Sequence, residues 1–260
     1  MGVMHTMFDA KSLLDQFLGG NPLQPGAQRG TNASGQTGGH TAGLGDLLGQ
    51  FNGFGGGLGG GAVAGGLAAL LLGSKQGRRL AGNALQYGGM AVVGALAYRA
   101  YQNWQSGRVA TPDAQPAAFL PPPSDTPFAP TDAHDQQSLA RHLLRAMIAG
   151  AKADGHVDEA EQKAIFAEMQ KMPLDADDRN FVLDELRKPL DIDAVARGAR
   201  TPEEAASIYT ASLLAVNVDH AAERGYLAML AARLHLDDAL VKHLHASVEA
   251  ASAPQSAPAA

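Results

Sequence analysis

Thr201-Pro202-Glu203-Glu204, followed by Ala205-Ala206-Ser207-Ile208-Tyr209-Thr210-Ala211-Ser212-Leu213-Leu214, is the plainest helix in the chain. Threonine offers a cap oxygen, proline suits the first helical position, and the glutamate three residues after the threonine completes a capping box. Outward from this helix, Asp135 to about Ala253 repeats apolar residues at three- and four-residue spacing, with no alternating strand segment. That part therefore reads as an all-α bundle of about seven helices. Leu139, Leu143, Met147 and Ile148 line a first helix ending near Gly155. Asp158 and Glu161 open a second, which carries Ile165, Phe166 and Met169 and stops at Pro173. Asp175 caps a third through Phe181, Val182 and Leu186, and Asp191 opens a short fourth around Ile192 and Val195. After the Thr201 helix, Asp219 starts a sixth with Tyr226, Leu227 and Leu230. Asp237 starts a last one with Leu240, Val241, Leu244 and Val248.

The other half of the chain has a different composition. No charge occurs between Asp46 and Lys75, and after Lys75, Arg78 and Arg79 none occurs until Arg99. Each stretch approaches the roughly 20 apolar residues that span a bilayer, and both are rich in glycine, which membrane helices tolerate. Gly53, Gly57, Gly61 and Gly65 recur four apart, a spacing that forms a smooth packing strip on a helix and suits a homo-oligomer. In the second stretch, Leu80 to Tyr98, Val92, Val93 and Leu96 cluster, and Tyr98, Tyr101 and Trp104 fall where an interfacial aromatic belt would lie. Residues 47–108 are thus expected to be membrane-associated, as one span or as a helical hairpin. Lys75, Arg78 and Arg79 suit anionic lipid head groups.

Short segments join and flank these parts. Met7, Leu14, Phe17 and Leu18 give residues 1–20 the spacing of a short amphipathic helix. This start lacks the basic, apolar and small-residue sequence of a secretory signal, so no cleavage is expected. Residues 21–46 form a Gly/Ser/Thr/Asn/Gln linker expected to be disordered, as is the 254–260 tail. Seven prolines between Pro112 and Pro130 make 109–134 an extended spacer expected to hold the last domain away from the apolar part.

Charge narrows the partners. Up to Ala110 there are seven basic and three acidic residues, a net of +4. The remainder carries −10 of the total −6, which argues against nucleic acid as a partner. With no cysteine in the chain, disulfides, thiolate metal sites and cysteine nucleophiles are excluded. Gly55, Gly57 and Gly60 match dinucleotide spacing without the strand and helix that give it meaning. His243 and His245, two apart, point to different sides of a helix and cannot ligate together. Ser207, Ser212 and Ser247 lie within helix patterns without a nucleophile elbow, so no enzyme activity is expected.

Two turns resemble each other. One runs from Ala151 through Asp154, Gly155, His156 and Asp158 to Glu161, and the other from Ala215 through Asp219 and His220 to Glu223. In both, an alanine stands near an aspartate at the end of one helix, and a glutamate lies in the opening turn of the next. With Lys188-Pro189-Leu190-Asp191 and Arg200 to Tyr209, these segments resemble the TerB-like domain of tellurite-resistance proteins. The whole layout is similar to the YebE-like family of bacterial inner membrane proteins. The resemblance implies a TerB-like domain over 135–253 and a location at the bacterial inner membrane, with the side of that domain left open.

It also implies a divalent cation between the two acidic turns, with Asp154, Glu161, Asp219 and Glu223 as candidate ligands. Four oxygen donors suit Ca²⁺ or Mg²⁺, although no cofactor is required. The competing reading is that these carboxylates cap helices and complement helix dipoles. The expected function is a membrane-anchored, stress-linked binding or scaffolding module, with membrane lipids and a protein of unknown identity as partners. The alternative is a glycine-zipper oligomer that perturbs the bilayer under control of the helical domain.

Overall fold

Eight helices occupy the described residues of the computed structural model, which are 9–17, 88–111, 121–153, 176–216 and 218–252. They are α1 (Ala10–Phe17), α2 (Gly89–Gln105), α3 (Ala133–Ala151) and α4 (Ala176–Arg187), then α5 (Ile192–Ala196), α6 (Pro202–Ala215), α7 (Ala221–Arg233) and α8 (Asp238–Ser252). Among these residues the only β pairing is a single bridge between Thr126 and Ala129, so the fold is all-α. The chain divides into two units, Met1–Pro22 with Val63–Ala260 and, separately, Leu23–Ala62. All described residues belong to the first.

Helix α6 is the centre of the bundle, packed by α3, α2, α8 and α7. Every residue from Glu204 to Ala215 is buried, as a helix that is apolar or small on all sides requires. Its cap follows the sequence closely: the Glu204 N–H donates to Thr201 Oγ1 at 3.2 Å. The Glu204 carboxylate turns back to accept from the Arg200 N–H at 2.8 Å, one residue before the usual capping-box partner. Small residues let α3 approach closely. A Cβ on Gly150 would lie 3.1 Å from the Ser212 carbonyl oxygen, so the backbones nearly touch there. The buried hydroxyls of α6 all find acceptors. Thr210 donates to the Ala206 carbonyl at 2.7 Å, and Ser212 to the Ala146 carbonyl of α3 at 3.0 Å. Ser212 also pairs with the Tyr226 hydroxyl of α7 at 2.9 Å, tying three helices at one point.

Helix α2 departs most from the sequence reading. The Val92, Val93 and Leu96 cluster, expected in the membrane segment, is buried in the protein core against α6 and α8. Ser247 Oγ of α8 donates to the Leu96 carbonyl at 3.0 Å, and His243 Nε2 lies 3.0 Å from the Arg108 carbonyl. At about 1.5–3 kcal/mol for each buried aliphatic side chain, these three contribute roughly 5–9 kcal/mol. That is comparable with the whole stability of a typical domain, so α2 is part of the bundle rather than a detachable lipid-facing arm. The hairpin's second arm is corrected accordingly. Among the described residues no helix is long and apolar enough to cross a membrane. The first uncharged stretch, with Gly53, Gly57, Gly61, Gly65 and the Lys75, Arg78, Arg79 patch, lies outside the described residues.

The expected aromatic belt and the spacer also take other roles. Residues 121–131 turn back onto α2, with the Asp125 N–H donating to the Ala129 carbonyl at 3.0 Å. Phe128 is buried, its ring 5.5 Å from Tyr98 and 5.7 Å from Tyr101 in edge-on contacts. A Cβ on Gly94 would fall 2.4 Å from the Phe128 carbonyl oxygen, so only glycine allows this approach. The second half of the proline-rich stretch is therefore packed against the bundle, not held away from it. The N-terminal helix is docked too. Ala10, Leu13 and Leu14 are fully buried against α3, and Gln137 Nε2 donates to Asp9 Oδ1 at 2.6 Å.

Other helix ends follow the expected caps with small shifts. Asp191 accepts from the Ala194 N–H at 2.9 Å and Asp237 from the Ala239 N–H at 2.7 Å. The first bundle helix closes at Ala151, four residues short of Gly155, because Lys152 turns its N–H onto the Ile148 and Ala149 carbonyls. Helix α7 begins at Ala221 with His220 in the cap position, so Asp219 lies just outside it. The second predicted helix, from Asp158 to Met169, and the Asp175 cap lie outside the described residues.

Phe128→Ala should lower the unfolding free energy by about 3 kcal/mol and Gly94→Ala by about 1–3 kcal/mol, measured by urea denaturation of the full chain. An unchanged midpoint for Phe128→Ala would mean that the proline-rich stretch does not pack on α2.

Candidate functional site

A cavity of about 490 Å³ opens between the second half of α3, the end of α4 with the loop after it, and α5. Local sequence explains why it exists. Helix α4 ends at Arg187, Pro189 cannot continue a helix, and Asp191 caps α5 only a few residues later. The intervening Lys188-Pro189-Leu190 segment bridges the two helices and forms one wall of the cavity.

Lys152, the residue that closes α3, holds this wall in place. It is 8% exposed, and its Nζ donates to the Glu185 carbonyl at 2.9 Å and to the Lys188 carbonyl. These acceptors lie at the C-terminal end of α4, where helix carbonyls lack intrahelical donors and the dipole favours a cation. The ammonium thus caps α4 from a neighbouring helix. Burial lowers the Lys152 pKa, and the nearby Glu185 carboxylate opposes that fall.

Glu185 is the complementary charge. Its side chain is buried and accepts from Arg145 Nη2 at 3.0 Å and Lys188 Nζ at 2.8 Å. Burial alone would raise its pKa, but the hydrogen bonds and charges of Arg145 and Lys188 outweigh it and hold the carboxyl below its ordinary value. Arg197 lines the cavity from the C-terminal side of α5, its Nη2 3.7 Å from Asp191 Oδ2 and both groups largely exposed. Among the described residues the cavity wall thus carries four cationic side chains, Arg145, Lys152, Lys188 and Arg197, against two carboxylates. Ile148, Val195 and Leu190 supply apolar surface between them.

His142 forms the remaining polar part. Its Nδ1 is buried without a hydrogen-bond partner, pressed against Gly198, where a Cβ would lie 2.6 Å from it. Burial, and then the Arg145 charge, lower its pKa from the ordinary 6.5. His245, hydrogen-bonded through Nε2 to the Tyr209 hydroxyl at 2.9 Å, is lowered by the same desolvation.

The candidate cation ligands are only partly placed. Asp154 and Glu161 lie outside the described residues. Glu223 sits in the first turn of α7, nearly buried, with Oε2 3.5 Å from His220 Nδ1. The Asp219 main-chain carbonyl accepts from Arg224 Nη1 at 2.7 Å. Among the described residues, one group of three side chains lies close enough together for a metal: Asp132, His134 and Asp135. Asp132 is already the α3 cap, accepting from the His134 and Asp135 N–H groups, and Asp135 pairs with Arg200 at 3.1 Å.

Comparison with known proteins places the chain. The family described as a protein of unknown function (DUF533) matches residues 57–248, about three quarters of the sequence. The chain belongs to the DUF533 family. Its matched span covers every helix described except α1 and the end of α8, so the cavity lies within the family domain. An uncharacterized protein in the ampR 5′ region of Yersinia enterocolitica is 32% identical over 90 residues, 35% of this chain and 65% of that protein's length. The chain thus spans just under two thirds of that relative. No solved structure matches.

The basic cavity was not visible to sequence reasoning, which weighed the acidic turns and the N-terminal basic patch. Its cations come from three elements, and only the helix break at Lys188-Pro189 marks the place.

Two half-buried histidines of lowered pKa, His142 and His245, set a pH dependence. The native state binds fewer protons than the unfolded chain once pH falls below about 6.5, so their contribution is complete above that value and lost as pH drops through the lowered folded pKa. Stability measured by urea titration should fall between about pH 6.5 and 5, and His245→Asn should flatten that slope. An equal slope in the variant would contradict this assignment.

Proposed function

We propose that this DUF533 chain is a membrane-tethered binding module that performs no chemistry of its own. The observation that carries the reading is the open, polar-walled cavity on a bundle whose other buried polar groups are tied up in structural hydrogen bonds. The two Tyr contacts, Tyr209 with His245 and Tyr226 with Ser212, are structural ties. Burial raises the pKa of both Tyr209 and Tyr226, which keeps them as neutral hydrogen-bonding groups. DUF533 domains are TerB-like in general, which supports a stress-linked binding or scaffolding role.

The tether is the uncharged run between Asp46 and Lys75, with Lys75, Arg78 and Arg79 facing anionic lipid of the bacterial inner membrane. Burial of α2 supports one apolar segment over a hairpin, since Val92, Val93 and Leu96 already have partners. The glycine-zipper reading rests on Gly53, Gly57, Gly61 and Gly65 alone and has no specific support from the bundle. A cation between Asp154, Glu161, Asp219 and Glu223 remains part of the proposal as a regulator of the module.

Carbonate washing of membranes from cells making the full chain tests the tether. The protein should stay in the pellet, and Leu70→Asp with Leu71→Asp should release it without changing its melting temperature; release of the unaltered chain would sink the reading. Titration of the purified chain with CaCl₂ and MgCl₂ should give a saturable heat that Asp154→Asn with Asp219→Asn removes. No heat from either salt would dismiss the cation.

A further inference from the structure

We propose that the cavity between α3, the α4–α5 loop and α5 binds a phosphate group carried on a partly apolar body. The inference deepens the binding-module reading and rests on it. Charge is the first argument. After Ala110 the chain carries ten more acidic than basic residues, yet among the described residues this cavity is lined by four cations against two carboxylates. An excess of two positive charges on the described lining attracts a dianion and disfavours the divalent cations that the acidic turns would take.

Donor geometry is the second. Lys152 uses two of its three N–H donors on main-chain carbonyls, which satisfy hydrogen bonds without cancelling its charge. Arg145 and Lys188 share a single carboxylate oxygen, Glu185 Oε1, at 3.0 and 2.8 Å. Two cations on one oxygen leave Arg145 and Lys188 with further N–H groups, and the 3.7 Å pair leaves Arg197 only weakly engaged. Charge-assisted donors from separate elements, supported by a half-buried network, match the several oxygens of a tetrahedral phosphate better than the two of a carboxylate.

Size and lining are the third. A volume of about 490 Å³ exceeds what a bare phosphate fills and lies in the range of small-ligand pockets. Ile148, Val195 and the part-exposed Leu190 give the remainder an apolar surface. The occupant is therefore an organic phosphate. It is either a soluble phosphomonoester or a phospholipid head group entering with the start of its glycerol and acyl chain.

The test is calorimetric titration of the full-length chain in neutral detergent with phenyl phosphate, inorganic phosphate, benzoate and phenol. Phenyl phosphate should bind saturably, roughly tenfold more tightly than inorganic phosphate or benzoate, and phenol should not bind. Arg197→Gln, which removes a largely exposed group and should leave the melting temperature unchanged, should weaken binding roughly tenfold; Lys152→Met should weaken it further. Absence of saturation by phenyl phosphate, equal binding of phenol, or full binding by Arg197→Gln would each overturn the proposal. Competition then separates the two sources. Displacement by phosphatidic acid vesicles assigns a lipid head group, and displacement by soluble phosphomonoesters alone assigns a metabolite, either outcome supporting a phosphate site. Failure here leaves the tether, read by carbonate washing, untouched.

Discussion

Close packing around α6 is the constraint on which the rest of the bundle depends. A helix buried on every side has no solvent-facing strip to absorb mismatches, so its neighbours must fit it at small residues such as Ala205, Ala206, Ala211 and Ala215. The same burial obliges each of its hydroxyls to find a hydrogen-bond partner. Ser212 meets that demand by reaching Ala146 on α3 and Tyr226 on α7, so hydrogen bonding and steric fit select one arrangement of three helices. Around this centre α2 and α8 close one side, and α1 covers α3.

A second, electrostatic arrangement sits at the edge of that packing. Lys152 reaches from the end of α3 to the carbonyls that α4 leaves without donors, and Glu185 gathers Arg145 and Lys188. Most of these groups are half-buried, where the dielectric is lower and unpaired charge is costly, so the network is held in one geometry by its own desolvation. The outcome is a fixed, cationic wall in a part of the chain whose net charge is negative. Rigid polar walls around an open volume are what binding requires, since groups already in place lose little entropy when a ligand arrives.

These two features bear on the function of a DUF533 protein in different ways. The packed centre explains why residues far from 135–253 in sequence, including Leu13, Val92 and Phe128, belong to the same bundle. It also gives Val92, Val93 and Leu96 partners inside the bundle, which leaves the earlier glycine-rich run as the proposed membrane segment. The cationic wall is the part of the domain on which the proposed binding function rests.

The amino-acid sequence by itself determined the helical class and the starts of α5, α6 and α8, because caps are local chemistry. Thr201, Asp191 and Asp237 each need only the N–H groups two or three residues ahead of them. It missed the start of α7 by two residues, since Asp219 and His220 are both acceptable before the first turn. Only tertiary structure decided where the apolar faces went. Val92, Val93 and Leu96 are equally apolar whether their neighbour is lipid or the helices α6 and α8, and a helical period carries no record of which neighbour it meets. Phe128 among prolines looks like a spacer until Gly94 gives it room. The basic cavity was hidden for the same reason: Arg145, Lys152, Lys188 and Arg197 become one site only when three chain segments meet, and charge adds across space rather than along sequence.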